Sequence, residues 1–202
     1  MKIAFIIKPF TNTRRRECFR KAFFHYKTEL VGTDSVVEEH YTTAAASSAE
    51  TLASKAVRAD FNRLILVGGD GLLNQGLNGL MTAVEGTVPP DISIGVIPAG
   101  TGNDFAWSLG VPSDIRQAFE VIKKGRTQAV DIGQVNDRFF FNSVSFGPVA
   151  GINRTADTLK NSCRLLPEKL SYLLAALKEL PSGPASYQVT INGAKLKRSG
   201  PV

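Results

Sequence analysis

Two short apolar runs, Leu64–Val67 and Ile92–Ile97, each end in a glycine-rich turn. The first turn is Gly68-Gly69-Asp70-Gly71; the second is Pro98-Ala99-Gly100-Thr101-Gly102-Asn103-Asp104. A helix-like segment of about Leu72–Val84 follows the first, and repetition of strand, tight turn and helix forces a parallel sheet covered on both faces. The residues upstream obey the same rhythm. Lys2–Lys8 is a β-branched and aromatic run stopped by Pro9, so it reads as a buried strand. Arg14–Leu30 places Phe19, Ala22, Phe23, Tyr26 and Leu30 at helical spacing. Val36–Thr42 is a second strand, and Ser47 or Ser48 caps a helix reaching about Ala59. Ile115–Lys124 adds a last helix, closed by Gly125. The expected fold class is α/β, with a parallel-sheet domain over residues 1–125.

After Gly125 the pattern changes. Gln128–Val135, Phe139–Ser145 and Tyr187–Ile191 read as strands, with Asn136-Asp137 and Asn192-Gly193 as hairpin turns and Lys195–Lys197 as a return strand. Leu159–Leu180 reads as a mostly helical insertion broken at Pro167. Residues 126–202 are therefore expected to open a β-rich second domain. A sheet ending on one hairpin leaves long unpaired edges, so this domain is expected to be incomplete.

Of the 202 residues, 43% are hydrophobic and 21% charged, a composition that supports a core. No run approaches the roughly 18 apolar residues of a membrane span, and Lys8-Pro9 cuts short the apolar start, against a secretory signal. Cys18 and Cys163 are too few and too far apart for a disulfide framework or a four-cysteine zinc site. The expected setting is the cytoplasm. The net charge of +6 divides as +7 over residues 1–28, −6 over 29–150 and +5 over 151–202. Such ends suit anionic partners, or are simply solvated faces. No zinc-finger spacing or aromatic ribonucleoprotein motif is present, so nucleic acid is not expected.

Ligands of open α/β sheets bind outside the carboxyl ends of the strands. Gly68, Gly69 and Gly71 admit a ligand close to the backbone, and the following helix directs free N–H groups at an anion. Gly100 and Gly102 repeat the device, with Thr101, Asn103 and Asp104 as polar groups. Neither turn is a Walker A motif, because no Gly-Lys-Ser/Thr follows. Asp70 would repel phosphate unless a cation bridges them, so it either caps the helix or holds Mg²⁺. Asp104 carries the same two alternatives, and Asp131 is a third isolated acid. His25 and His40 lack the partners of a triad, and Trp107 reads as a packing residue.

Gly68-Gly69-Asp70-Gly71-Leu72-Leu73-Asn74-Gln75 with Asn78-Gly79-Leu80 resembles the first signature of the diacylglycerol kinase catalytic-domain family, which includes bacterial lipid kinases, sphingosine kinases and ceramide kinases. Gly95–Ala106 with Leu109-Gly110-Val111-Pro112 resembles its second signature, and Val130-Asp131-Ile132-Gly133 with Phe140–Asn142 its third. The resemblance implies ATP bound by Gly68, Gly69, Asp70, Gly71 and Asn74, with Thr43, Gly100, Thr101 and Asn103 as further contacts. It implies an acidic, Mg²⁺-linked cluster of Asp70, Asp104 and Asp131, with Asp70 the catalytic candidate and the general base expected beyond Val202. It also implies a lipid substrate whose hydroxyl attacks the γ-phosphate. Three positions depart from the family pattern: Lys8-Pro9 stands where Asn-Pro is usual and could lend its own charge to the phosphates, Leu72 replaces threonine, and Gln75 replaces glutamate.

The function so implied is ATP- and Mg²⁺-dependent phosphorylation of a lipid hydroxyl, diacylglycerol-like or sphingoid. The chain is expected to sit peripherally at the inner face of an anionic membrane, and a homodimer is compatible with the sequence. Two other functions stay open: a nucleotide-binding module without catalysis, and an NAD kinase, which shares the Gly-Gly-Asp-Gly turn.

Overall fold

The structure is a computed structural model and describes residues 1–29, 33–43, 47–145, 148–162, 168–179, 189–191 and 194–196. These fall into two compact units, Met1–Asn142 and Ser143–Val202.

The first unit is built on four parallel strands: β1 (Lys2–Ile7), β2 (Val36–Tyr41), β3 (Arg63–Gly68) and β4 (Ser93–Pro98), in the order β2-β1-β3-β4. β1 and β3 are buried almost throughout, as expected of central parallel strands covered on both sides. Their side chains alternate between two cores. Ala4, Ile6, Leu64 and Leu66 face α2 (Ala49–Arg58) and α3 (Asp70–Ala83). Ile3, Phe5, Ile7, Ile65 and Val67 face α1 (Thr13–Glu29) and α5 (Ile115–Lys124). On that second face, Phe5 meets Phe23 edge-on with ring centroids 4.6 Å apart, and Phe19, Tyr26 and Phe119 complete an aromatic cluster. The α/β parallel-sheet architecture expected from the alternating pattern is the one observed.

Local chemistry sets the helix ends. Ser48 accepts the Thr51 N–H to start α2, and Asp114 accepts from Arg116 and Gln117 to start α5. Gly125 ends α5 in the left-handed conformation, at φ 61°. Asn12 accepts the Arg15 N–H at 2.9 Å and caps α1. A short helix, α4 (Asp104–Ser108), follows the turn after β4.

Downstream the expected strands are much shorter. β5 (Gly133–Val135) and β6 (Arg138–Phe140) form a three-residue antiparallel hairpin around Asn136, whose φ is 53°. Among the described residues no third strand pairs with it, so Gln128–Ile132 and Phe141–Ser145 have no ladder to extend. The hairpin is instead pinned to α3. Asn78, 2% exposed, donates from Nδ2 to the Phe139 carbonyl at 2.8 Å and accepts the Phe139 N–H at 3.0 Å. Arg138 adds a bidentate pair with Glu50 on α2, both contacts at 2.8 Å.

The second unit holds α6 (Pro148–Ser162), α7 (Glu168–Glu179) and a small antiparallel pair, β7 (Val189–Ile191) with β8 (Ala194–Leu196). α6 begins eleven residues before the helical insertion expected at Leu159, because its first turns repeat no strand period. It packs on α7 through Ala156 and Ala175, and Thr155 donates to Glu179 at 2.7 Å. Pro167, Cys163, Tyr187, Asn192 and Gly193 lie outside the described residues.

Candidate nucleotide site

Strand order β2-β1-β3-β4 reverses direction at β1, so the chain leaves the carboxyl ends of β1 and β3 toward opposite sides of the sheet. Such a reversal opens a crevice at the strand ends, the usual place for a ligand in this architecture. Both glycine-rich turns and the turn after β1 meet there. The Lys8 N–H donates to Val67 O at 3.0 Å, and the Ala99 N–H donates to Gly68 O at 2.9 Å, so the three turns are stitched side by side.

The two glycine turns touch through bare backbone. A methyl group at Gly100 would lie 2.4 Å from the Gly69 Cα, and one at Gly69 would lie 2.9 Å from the Gly100 Cα. Neither position admits any side chain without moving the main chain. Gly71 is different: a methyl group there would meet nothing within 4 Å. Packing within the protein does not require glycine at 71, whereas a ligand approaching the first turn of α3 would. The Gly69 carbonyl accepts both the Leu72 and Leu73 N–H groups, which closes the turn and leaves the earlier amides of α3 facing outward.

Asn103 holds the second turn in shape. Its φ is 59°, its Oδ1 accepts the Gly100 N–H at 2.9 Å, and its Nδ2 donates to the Gly100 carbonyl at 3.0 Å. With Asn103 so engaged, α4 has no cap of its own, and Asp70 supplies one from the neighbouring turn. Asp70 Oδ2 accepts the Asp104 N–H at 3.1 Å and Oδ1 accepts the Phe105 N–H at 3.0 Å. The sequence left Asp70 as either a cap of the helix it opens or a Mg²⁺ ligand; the helix it caps is α4, not α3. A methyl group at Gly102 would lie 3.4 Å from Asp70 Oδ2 and 3.5 Å from Asp104 Oδ1, so the two carboxylates flank the same glycine.

The remaining expected residues are placed as follows. Lys8 is exposed at the carboxyl end of β1, and Thr43 follows β2, bridged to Ser47. Gly68 is buried against Leu72, while Asn74 is exposed on α3 and lends its carbonyl to Asn78. Thr101 is exposed beside Gly100 and Gly102. Asp131 is exposed on the segment entering β5. Among the described residues no group of three or more His, Cys, Asp or Glu side chains is placed to hold a metal ion, so Asp131 is not gathered with Asp70 and Asp104.

Three features were not anticipated. Leu72 is 7% exposed and belongs to the core, so its side chain lies under the turn rather than on the ligand side. Trp107 is not packed; it is 84% exposed. Arg15 donates from Nη2 to the Pro98 carbonyl at 3.1 Å, tying the start of α1 to the second glycine turn. The signal for Arg15 was present, because Arg14-Arg15-Arg16 opens α1 with no acid in its first turn. Positive charge at a helix N-terminus opposes the dipole and calls for an anion nearby.

The sequence profile of the diacylglycerol kinase catalytic domain matches residues 4–135. The chain belongs to this family. A diacylglycerol kinase of Bacillus subtilis (strain 168) is 32% identical over 197 residues, covering 96% of this chain and 61% of that protein. One of Staphylococcus carnosus (strain TM300) is 39% identical over 121 residues, covering 59% of this chain and 38% of that protein. The crystal structure of a diacylglycerol kinase from Bacillus anthracis str. Sterne superposes with a TM-score of 0.58 at 23% identity, over 70% of this chain and 50% of that one, and shows the shared fold. This diacylglycerol kinase family chain therefore spans less than two thirds of the length of the relatives it matches. No helix among its described residues is long and apolar enough to cross a membrane.

Proposed function

We propose that the chain binds ATP along the carboxyl edge of its sheet and serves Mg²⁺-dependent transfer of the γ-phosphate to a lipid hydroxyl, diacylglycerol-like or sphingoid. The observation that carries this reading is Gly71. It is a glycine with open space in front of it, beside two turns whose own glycines are in backbone contact. In this reading Gly69 and Gly71 let the phosphates approach the first turn of α3, where amides and helix dipole favour negative charge. Lys8 and Arg15 stand on the same edge and supply the positive charge that a glycine-poor first turn does not. Thr43, Asn74, Thr101 and Asn103 complete the nucleotide contacts.

Asp70 and Asp104 flank one glycine, which fits an ion that takes one or two carboxylates and completes its shell with phosphate oxygens and water. When bound, Mg²⁺ would neutralise charge on the transferring phosphoryl group. Asp131, exposed on the segment entering β5, stands apart from this pair. The acceptor oxygen attacks the γ-phosphorus, the bond to the bridging oxygen breaks, and ADP leaves while a base takes the hydroxyl proton. A membrane-resident acceptor implies peripheral docking, for which the basic ends of the chain are suited.

A second reading, nucleotide binding without turnover, is favoured by one observation. Both oxygens of Asp70 already accept backbone N–H groups, which leaves it poorly placed to take a hydroxyl proton. Incubation with γ-labelled ATP, Mg²⁺ and a panel of diacylglycerol, sphingoid and glycerophospholipid acceptors separates the two. Label in a lipid product supports the kinase. Nucleotide binding with no labelled lipid from any acceptor supports the module.

A further inference from the structure

Helix α4 is held firmly for its five residues. Asp70 caps it through two hydrogen bonds, Phe105 stacks on Phe141 with ring centroids 4.2 Å apart, and Ala106 is 1% exposed. Trp107 comes next, about 100° further round the helix. That rotation carries the largest apolar side chain of the element out of the core and into solvent, on a platform that does not yield. An indole left this exposed gains nothing from the fold. Its ring is apolar and its N–H polar, a combination that favours the boundary between headgroups and acyl chains.

Basic side chains stand on the same edge of the sheet as Trp107. Because the strands are parallel and the helices run back along them, the starts of α1, α4 and α5 share the carboxyl edge of the sheet. Exposed Lys8, Arg14, Arg16 and Arg116 lie along that edge. Among the described residues the carboxylates there are Asp70, Asp104, Asp114, which pairs with Arg116 at 3.8 Å, and Glu17 beside Arg16, so the basic excess lies at Lys8 and the start of α1. We infer that Trp107 is a membrane anchor: its indole inserts into the headgroup layer of an anionic phospholipid bilayer, with the basic edge drawn to the same surface. This rests on the reading of the chain as acting on a membrane lipid, and it faces the nucleotide site toward the bilayer that holds the acceptor.

Trp107 is the sole tryptophan in the sequence, so intrinsic emission reports on it alone. The full chain is titrated with phosphatidylglycerol–phosphatidylcholine vesicles, without nucleotide, and then with MgATP, without vesicles. The inference expects emission to shift to shorter wavelength with vesicles and to be quenched by brominated acyl chains. It expects little change with MgATP, and Trp107→Ala should lower the sedimented fraction several-fold. Vesicle binding with unshifted emission would overturn it, and so would a response to MgATP alone, which would make the indole a base-stacking surface. Since no phosphate transfer is measured, a failed anchor leaves the kinase reading standing. A failed transfer to a short-chain, water-soluble diacylglycerol would count against the kinase and not the anchor.

Discussion

Asp70, on the turn after β3, accepts the Phe105 N–H at 3.0 Å and so caps a helix that begins after a different strand. One carboxylate couples the shape of the second glycine turn to the first. Asp70→Ala should cost about 0.5–2 kcal/mol, the range for losing a helix cap, and should abolish Mg²⁺-dependent nucleotide binding. Asp70→Asn keeps an acceptor for one amide and turns a donor toward the other, so it should recover only part of the stability and little of the binding. Urea denaturation and calorimetry on the same samples check both halves.

Two glycines of these turns, Gly100 and Gly71, should behave oppositely. Gly100→Ala places a methyl group 2.4 Å from the Gly69 Cα, and an overpacked contact of this kind costs about 1–3 kcal/mol. Gly71→Ala meets no atom and sits in the first turn of α3, where replacing glycine is expected to stabilise by about 0.4–1 kcal/mol. Its nucleotide affinity should nonetheless fall. A Gly71→Ala protein that is stable and binds ATP as tightly as the parent would remove the main support for the phosphate site.

Asn78 is a structural residue of the first signature. Asn78→Ala strips partners from the part-buried N–H and carbonyl of Phe139, which places its cost toward the lower end of the about 1–3 kcal/mol for a buried polar group left unsatisfied. Hydrogen exchange should show the β5–β6 hairpin losing protection before the parallel sheet does.

The Glu50–Arg138 pair gives the hairpin a pH dependence. The hydrogen bond from Arg138, with its charge, holds the Glu50 carboxyl below the ordinary glutamate value, against a smaller opposing effect of burial. A lowered folded value means the stabilisation is fully present above the unfolded value, about 4.3, and is lost as pH falls through the folded one. Both side chains are partly exposed, so solvent screening keeps the effect small. Glu50→Gln should be less stable than the parent at pH 7 and indistinguishable from it near pH 2, by urea denaturation at each pH.

Much of the first unit was legible from residue order. β1 and β3 are near-continuous apolar runs, the helices carry their apolar residues at helical spacing, and Gly125 marks an end. The meeting of the two glycine turns was legible because turns that end neighbouring parallel strands share the carboxyl edge of the sheet. What was not legible depends on contacts between turns. That Asp70 caps α4, that Arg15 reaches Pro98, and that Leu72 points inward all follow from tertiary neighbours 34 or more residues away, or from helix phase set by them. Trp107 was misread for the same reason, since five helical residues are too few for a periodicity to assign faces. The strands after Gly125 were overextended because β-prone residues form a ladder only where a partner strand exists.

If the carboxyl edge of this sheet is a nucleotide-phosphate site, Gly71 is the open glycine that the phosphates face. Isothermal calorimetry of ATP with Mg²⁺ into the full chain tests it most directly, run beside Gly71→Val, which has room in the free protein but none beside a bound phosphate. Saturable, Mg²⁺-dependent binding to the parent is expected, with its loss in a Gly71→Val protein whose circular dichroism is unchanged. Absence of binding to the parent, or equal binding to both proteins, would contradict it.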